Sequence, residues 1–204
     1  MNDPTVFVVD DDAGIRDALS LLISLKGLRS AVFATAEDFL NTYCAEWRGC
    51  LLTDLQMPGM HGLQLQRALA ERDIRLPVVV LTAHGDVATT REALKNGALD
   101  FLEKPVDDEI LVDVLRNAIH IDEQRHQAAS AHVQALERFA RLTPREQAVL
   151  QLLADGLQHR DIAERLNISP RTVEVYKSRM MEKLQLRTLA DVVRFGAGIP
   201  HGTN

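Results

Sequence analysis

Residues 51–60 read LLTDLQMPGM, an apolar run that ends in the carboxylate of Asp54 and then turns at Pro58 and Gly59. An Asp in such a place is most often a cap of a turn or helix, because its side chain bonds nearby backbone N–H groups. The alternative is a functional carboxylate at the end of a buried strand. The rest of the chain separates these two interpretations.

Five apolar segments, including the one that ends in Asp54, predict strands, and each is followed by apolar residues at helical spacing. They are TVFVVD (5–10), AVFA (31–34), CLLTD (50–54), PVVVLTA (77–83) and LDFLEK (99–104). Strict alternation of strand and helix predicts an α/β fold with a doubly wound, five-stranded parallel sheet. We expect the flavodoxin-like strand order 2-1-3-4-5, in which the first and third strands are neighbours.

Polar side chains stand at the carboxyl ends of these strands, where doubly wound sheets bind their ligands. Asp10 and Asp11 stand at the end of the first strand, Asp54 ends the third, Thr82 the fourth and Lys104 the fifth. Two carboxylates about 4 Å apart repel by roughly 4 kcal/mol at an effective dielectric of 20, so such a cluster needs cations. Lys104 supplies one, and Mg²⁺ suits the rest because it prefers carboxylates, waters and phosphate oxygens.

The chemistry that this crevice favours is phosphoryl transfer. Asp54 can be both a Mg²⁺ ligand and the nucleophile that forms an aspartyl-phosphate. Lys104 can pair with one phosphoryl oxygen, and the Thr82 hydroxyl can donate to another. Asp12, one residue further along, is predicted to cap the first helix.

The segments VVDDD, LLTDLQMPGM, LTAHGD and DFLEKP resemble the receiver domain of bacterial two-component response regulators, over residues 5 to about 119. The resemblance implies a complete phosphorylation site on these strand ends. Its members are the phosphoacceptor Asp54, the Mg²⁺ ligands Asp10, Asp11, Asp54 and the backbone carbonyl of Gln56, and the phosphate contacts Thr82 and Lys104.

Two further features follow from the same resemblance. A cis bond is implied between Lys104 and Pro105, where an X-Pro bond makes that geometry accessible. Phe101 stands where the family places its switch aromatic, although many members have Tyr there. A ring that only packs in the core is the other interpretation of Phe101.

The second half of the chain reads as helices. Residues 120–140 lack Gly and Pro and are rich in helix formers, which predicts a helical linker that continues the fifth helix. A 4-3 apolar spacing leaves a coiled coil open, although Arg125 and His132 interrupt the seam. Beyond them, Thr143 and Glu146 predict a capping box, and Ser169 is predicted to cap a longer helix that begins at Pro170.

A short helix, a tight turn and a longer helix with polar residues outward are typical of a helix-turn-helix, although a plain three-helix bundle shares the pattern. Residues 142–193 also resemble the LuxR-type helix-turn-helix, and the whole chain resembles the FixJ branch of the FixJ/NarL response regulators. We therefore predict a receiver domain at 1–119, a linker at 120–140 and a DNA-binding domain at 141–204. By analogy, the base contacts are Glu174, Val175 and Ser178, and the phosphate contacts are Arg171, Thr172, Lys177 and Lys183.

The uneven distribution of charge along the chain agrees with two domains that bind different partners. The first 120 residues hold 19 Asp and Glu against 11 Lys and Arg, whereas the remainder holds 10 against 12. No apolar run approaches the roughly 20 residues of a membrane span, and the N-terminus lacks the pattern of a secretory signal. We expect a cytoplasmic protein with no membrane partner.

The predicted function is that of a transcription factor. Phosphorylation of Asp54 by a sensor histidine kinase, with Mg²⁺, would promote a homodimer that binds double-stranded promoter DNA and acts on RNA polymerase. No enzymatic turnover is expected beyond the gain and loss of the protein's own phosphoryl group. The alternatives are a phosphatase, which needs a second Asp where Gln56 stands, a ligand-sensing LuxR-type regulator, and a receiver that works without phosphate.

Overall fold

The computed structural model describes residues 3–83 and 87–199, and for residues 87–89 the backbone alone. The chain forms two compact units, Met1–His126 and Gln127–Asn204. The first unit therefore includes residues 120–126 of the predicted linker. The predicted domain boundaries at 119 and 140 stay predictions.

The first unit is built on one parallel sheet, as the apolar segments predict. Its strands are β1 (Thr5–Val9), β2 (Arg29–Phe33), β3 (Gly49–Asp54), β4 (Val78–Thr82) and β5 (Asp100–Glu103). The strand order is β2-β1-β3-β4-β5 and every pairing is parallel, so the predicted flavodoxin-like topology is confirmed. The order reverses between β1 and β3, which opens a crevice beyond their carboxyl ends.

Helices cover both faces of this sheet. They are α1 (Ala13–Leu25), α2 (Ala36–Thr42), α3 (Gly62–Glu71), α4 (Val87–Lys95) and α5 (Asp108–Ala140). Alternate strand residues face opposite sides, so Val6 and Val8 pack under α1 and α5 while Phe7 and Val9 pack under the other three helices. The apolar spacing after the fourth strand predicts that α4 begins at about Asp86, a residue that lies outside the described part of the structure.

Helix α5 runs without a break through the predicted linker, which confirms its helical character. Its fourth turn is anchored on the sheet, because the buried Asp122 carboxylate accepts a hydrogen bond from the Gly49 backbone N–H at 2.9 Å. Gly49 has a φ of 122°, and a side chain there would collide with the backbone of Thr5. Whether the 4-3 apolar spacing of this helix forms a coiled coil stays open, and it concerns the exposed residues of α5 after Asp122.

In the described part of the second unit, four helices follow the end of α5. They are α6 (Pro144–Ala154), α7 (His159–Leu166), α8 (Pro170–Leu184) and α9 (Leu189–Ala197). The predicted capping box of Thr143 and Glu146 is present, and Ser169 caps α8 as predicted. Val173, Met180 and Leu184 of α8 are buried in the common core, so the opposite face of this helix is turned to solvent.

Candidate functional site

Three carboxylates meet at the crevice between β1 and β3. One oxygen each of Asp10, Asp11 and Asp54 lies within 4.8 Å of the others. Parallel pairing of β1 with β3 places the strand ends side by side and causes this convergence. Asp10 is buried, Asp54 is partly buried and Asp11 is exposed, so the cluster is open to solvent on one side.

Lys104 is the cation of this cluster. Its Nζ lies 2.8 Å from Asp10 Oδ2 and 3.7 Å from Asp54 Oδ1. Its backbone N–H donates to Thr82 O at 2.7 Å, which fixes the end of β5 against the end of β4. The Lys104–Pro105 bond is cis, as expected. The Lys104 ammonium lies against two of the three carboxylates and does not neutralise the cluster by itself.

The electrostatics of the site are visible in the pKa of Asp54, which is raised above its ordinary value. Burial is the main cause, and the charges of Asp10 and Asp11 raise the pKa further. Lys104 and the Leu55 N–H, which donates to Asp54 Oδ1 at 2.8 Å, act in the opposite direction. The ionised form is therefore under-stabilised, and a hard divalent cation with oxygen ligands fits this donor set.

The loop after β3 is shaped by glycine. A Cβ on Gly62 would lie 2.5 Å from Asp54 O, so only glycine lets α3 begin so close to the phosphoacceptor candidate. Gln56 lies in the exposed part of this loop. Its backbone carbonyl stays a predicted metal ligand.

Thr82 and Phe101 occupy the positions expected of them on the neighbouring strands. Thr82 is fully buried at the end of β4, next to the crevice. Phe101 pairs with Val80 and packs against the core on the α2–α4 side of the sheet. The ring thus has a packing role, and its switch role stays a prediction.

Arg16 is a contact that sequence reasoning missed. Its Nη1 donates to the backbone carbonyl of Asp10 at 2.7 Å, while Asp12 caps α1 as predicted by accepting from Gly14 N and Ile15 N. The only sequence signal for Arg16 is its place one helical turn after the cap. It helps to hold the end of β1 on which Asp10 stands.

In the second unit, the exposed face of α8 carries most of the predicted DNA contacts. Arg171, Glu174, Val175 and Ser178 are exposed, whereas Thr172 is partly buried and bonds the cap residue. Helix α8 is the second helix of the predicted helix-turn-helix and α7 is the first.

Two of the predicted phosphate contacts are already paired with carboxylates. Lys183 Nζ binds the buried carboxylate of Glu146 at 2.6 Å. Lys177 Nζ lies 3.2 Å from Glu174 Oε1, and His159 Nδ1 lies 3.1 Å from Glu174 Oε2. Sequence reasoning found neither pairing.

Comparison with known families identifies both parts. Residues 6–144 match the response regulator receiver domain, and residues 140–195 match bacterial regulatory proteins of the luxR family. The chain is therefore a two-component response regulator with a LuxR-type DNA-binding domain. Such a receiver implies a histidine kinase as partner, and the LuxR-type domain implies DNA binding and regulation of transcription.

Individual relatives place the chain in the FixJ branch of the FixJ/NarL family, as the sequence predicted. It is 40% identical to the transcriptional regulatory protein FixJ of Azorhizobium caulinodans, over 93% of this chain and 90% of that protein. It is 42% identical to the C4-dicarboxylate transport regulator DctR of Rhodobacter capsulatus, over 93% and 98%. The solved response regulator StyR matches with a TM-score of 0.84 at 39% identity, covering 97% of this chain and all of that one.

These matches exclude some of the alternatives left open by the sequence. The receiver match excludes a small-molecule sensor in the first half, and the luxR match excludes a plain helix bundle in the second. The family consists of DNA-binding regulators and not of enzymes in the usual sense. Among the described residues, no helix is long and apolar enough to cross a bilayer.

Proposed function

We propose that this protein is switched by Mg²⁺-dependent phosphorylation of Asp54, and that the phosphorylated receiver dimerises and promotes binding to promoter DNA. The observation that carries the proposal is the meeting of Asp10, Asp11 and Asp54 within 4.8 Å, with Lys104 against two of them. A site built only to cap a helix needs one carboxylate, and Asp12 already fills that role.

The chemical step is a transfer from a phosphohistidine of the partner kinase. A carboxylate oxygen of Asp54 attacks phosphorus, the new O–P bond forms as the P–N bond breaks, and the kinase regains a neutral imidazole after protonation. Asp10, Asp11, Asp54 and the Gln56 carbonyl are the proposed ligands of Mg²⁺, which when bound supplies positive charge for the transferring group. Lys104 is placed to exchange its contact with Asp54 for one with a phosphoryl oxygen.

The switch is proposed to run from Thr82 and Lys104 to Phe101. A phosphoryl group adds roughly −1.5 to −2 charges, and these two side chains would contact it differently from the free carboxylate. Moving an equilibrium from 1:99 to 99:1 takes about 5.5 kcal/mol, which several charge-assisted hydrogen bonds and a metal ion can supply. Thr82 and Lys104 are linked by a backbone hydrogen bond and so respond together.

Dimerisation would place two copies of α8 on successive half-sites of a palindromic site, about one helical turn or a multiple of it apart. The beryllofluoride-activated NtrC4 receiver domain, which is 28% identical and covers 57% of the present chain, is a dimer. For the DNA contacts we retain Glu174, Val175 and Ser178 at bases, and Arg171, Thr172 and Lys177 at phosphates. Lys183 is the weakest member of the predicted set, because Glu146 holds its ammonium. RNA polymerase is the expected partner downstream.

The test is analytical ultracentrifugation of wild type, Asp54→Asn and the control Asp113→Asn. Asp113 is an exposed carboxylate on α5 and is not a member of the Asp10, Asp11 and Asp54 cluster. With a small-molecule phosphodonor and Mg²⁺, wild type and Asp113→Asn should change from monomer to dimer and bind a palindromic site more tightly. Asp54→Asn should do neither while keeping its fold. Identical behaviour of all three proteins would show that Asp54 is not the switch.

A further inference from the structure

The carboxylate of Glu174 lies on the exposed face of α8, near the start of the helix, and is bound on both oxygens. Oε1 lies 3.2 Å from Lys177 Nζ, and Oε2 lies 3.4 Å from the same ammonium and 3.1 Å from His159 Nδ1. His159 is the first residue of α7, so one carboxylate bridges both helices of the helix-turn-helix. All three side chains reach solvent.

From this geometry we infer that Glu174 determines specificity by withholding Lys177 from DNA until the correct base is present, an inference that rests on the DNA-binding role proposed for α8. A phosphate that approaches Lys177 in the free protein also approaches the Glu174 carboxylate, and like charges repel. Contact with the DNA backbone at this position is therefore weak, whatever the sequence of the duplex.

A suitable base in the major groove changes this balance. Cytosine offers its N4 amino group as a donor, and a Glu carboxylate is a matching acceptor. When Glu174 turns to such a base, the ammonium of Lys177 loses its partner and is free to bind a nearby phosphate. Base reading and backbone contact are thereby coupled through one shared side chain, and an incorrect base loses both contacts.

The experiment measures binding of the full-length protein to a pool of random-sequence duplexes, with a small phosphodonor and Mg²⁺ in every sample. Fluorescence anisotropy over a range of salt concentrations gives the affinity and its log–log salt slope. Glu174→Gln should bind the pool several-fold more tightly than wild type and with a slope steeper by about 0.9 for each protomer of the dimer, because each Lys177 then contacts a phosphate. The control is Glu182→Gln, which removes an exposed carboxylate from the same helix.

The second arm uses Lys177→Gln in both backgrounds. In wild type this change should alter binding to the pool little, whereas in Glu174→Gln it should cancel the gain and restore the shallower slope. Selection from the same pool gives the third reading. Sequences enriched by wild type should show one C·G preference in each half-site that is lost with Glu174→Gln.

The possible results distinguish a failure of the coupling between Glu174 and Lys177 from a failure of the proposed DNA-binding function. Equal gains for Glu174→Gln and Glu182→Gln would mean a general effect of charge and would overturn the coupling. An unchanged base preference in Glu174→Gln would overturn it as well, while wild-type binding would leave the proposed function standing. A wild-type protein that binds no duplex at the lowest salt concentration would overturn the proposed DNA contacts of α8 and this inference together.

Discussion

Replacing Asp54 by Asn should make the metal-free receiver more stable. The Asp54 carboxylate has two carboxylate neighbours within 4.8 Å and one ammonium at 3.7 Å, and its side chain is only 11% exposed. At an effective dielectric of 20, each repulsion amounts to about 3 kcal/mol and the Lys104 attraction to about 4 kcal/mol. Asparagine keeps the shape and removes these three interactions together with the cost of burying the charge, which is the main cause of the raised pKa of Asp54, so the expected gain in the free energy of unfolding is on the order of 2 kcal/mol.

The assay is urea unfolding in the presence of a chelator, followed by Trp47 fluorescence. Trp47 is the single tryptophan of the chain and stacks on Phe7 at 4.5 Å within the first unit, so its signal reports on the receiver. Asp113→Asn serves as control for the loss of an exposed charge. Saturating Mg²⁺ should stabilise wild type more than Asp54→Asn, because a ligand stabilises the state that binds it.

The pH dependence of the free energy of unfolding tests independently whether the ionised Asp54 destabilises the receiver. The pKa of Asp54 is raised in the folded protein, so its ionised form costs stability at neutral pH, and this cost disappears as the pH falls through the folded pKa. The advantage of Asp54→Asn should therefore shrink towards the ordinary carboxyl pKa of about 4. A variant no more stable than wild type at neutral pH, or an advantage that persists in acid, would refute this account of the site.

Three further changes test other parts of the structure. Asp11→Asn should weaken Mg²⁺ binding measured by calorimetry, since it removes one charged ligand; an unchanged titration would contradict the metal assignment. Asp122→Ala should lower the free energy of unfolding by about 1–3 kcal/mol, because the buried N–H of Gly49 loses its acceptor; a loss within experimental error would mean that water replaces the carboxylate. Glu146→Gln should lower the melting temperature of the second unit at neutral pH, as followed by circular dichroism. Burial raises the pKa of Glu146, but its bonds to Lys183 and Thr143 outweigh this and lower it, so the difference from wild type should vanish as the pH falls through the folded pKa.

The sequence predicted the sheet and the meeting of Asp10, Asp11, Asp54 and Lys104 at its edge because both depend on local or repeated patterns. Apolar runs that end in Asp54, Thr82 or Lys104 show where the strands lie in the sequence. The parallel topology then brings the ends of these strands together. Helix caps are equally local, since Thr143 and Glu146 lie within one turn of each other. Nothing beyond periodicity and short-range hydrogen bonding is needed for these features.

The contacts that the sequence did not predict join residues far apart in the chain. Asp122 lies in a polar helical stretch and looks like any solvated carboxylate, yet it binds the backbone of Gly49, 73 positions earlier. Lys183 looks like a free cation for DNA, yet its partner Glu146 is 37 positions away. Such pairings are set by how helices pack, and neither propensity nor charge counting contains that information.

Carboxylates restrain the cations with proposed functional roles in each unit in the same way. Asp10 holds Lys104 at 2.8 Å in the receiver, while Glu174 and Glu146 hold Lys177 and Lys183 in the DNA-binding unit. A phosphoryl group or a DNA phosphate must compete with these partners, so its net gain is smaller than its contact alone would supply. The small basic excess of residues 121–204 therefore overstates the electrostatic attraction of this part of the chain for non-specific DNA. In the coupling inferred for Glu174 and Lys177, discrimination follows from the same competition, because only a ligand that also binds the displaced carboxylate gains the whole interaction with the cation.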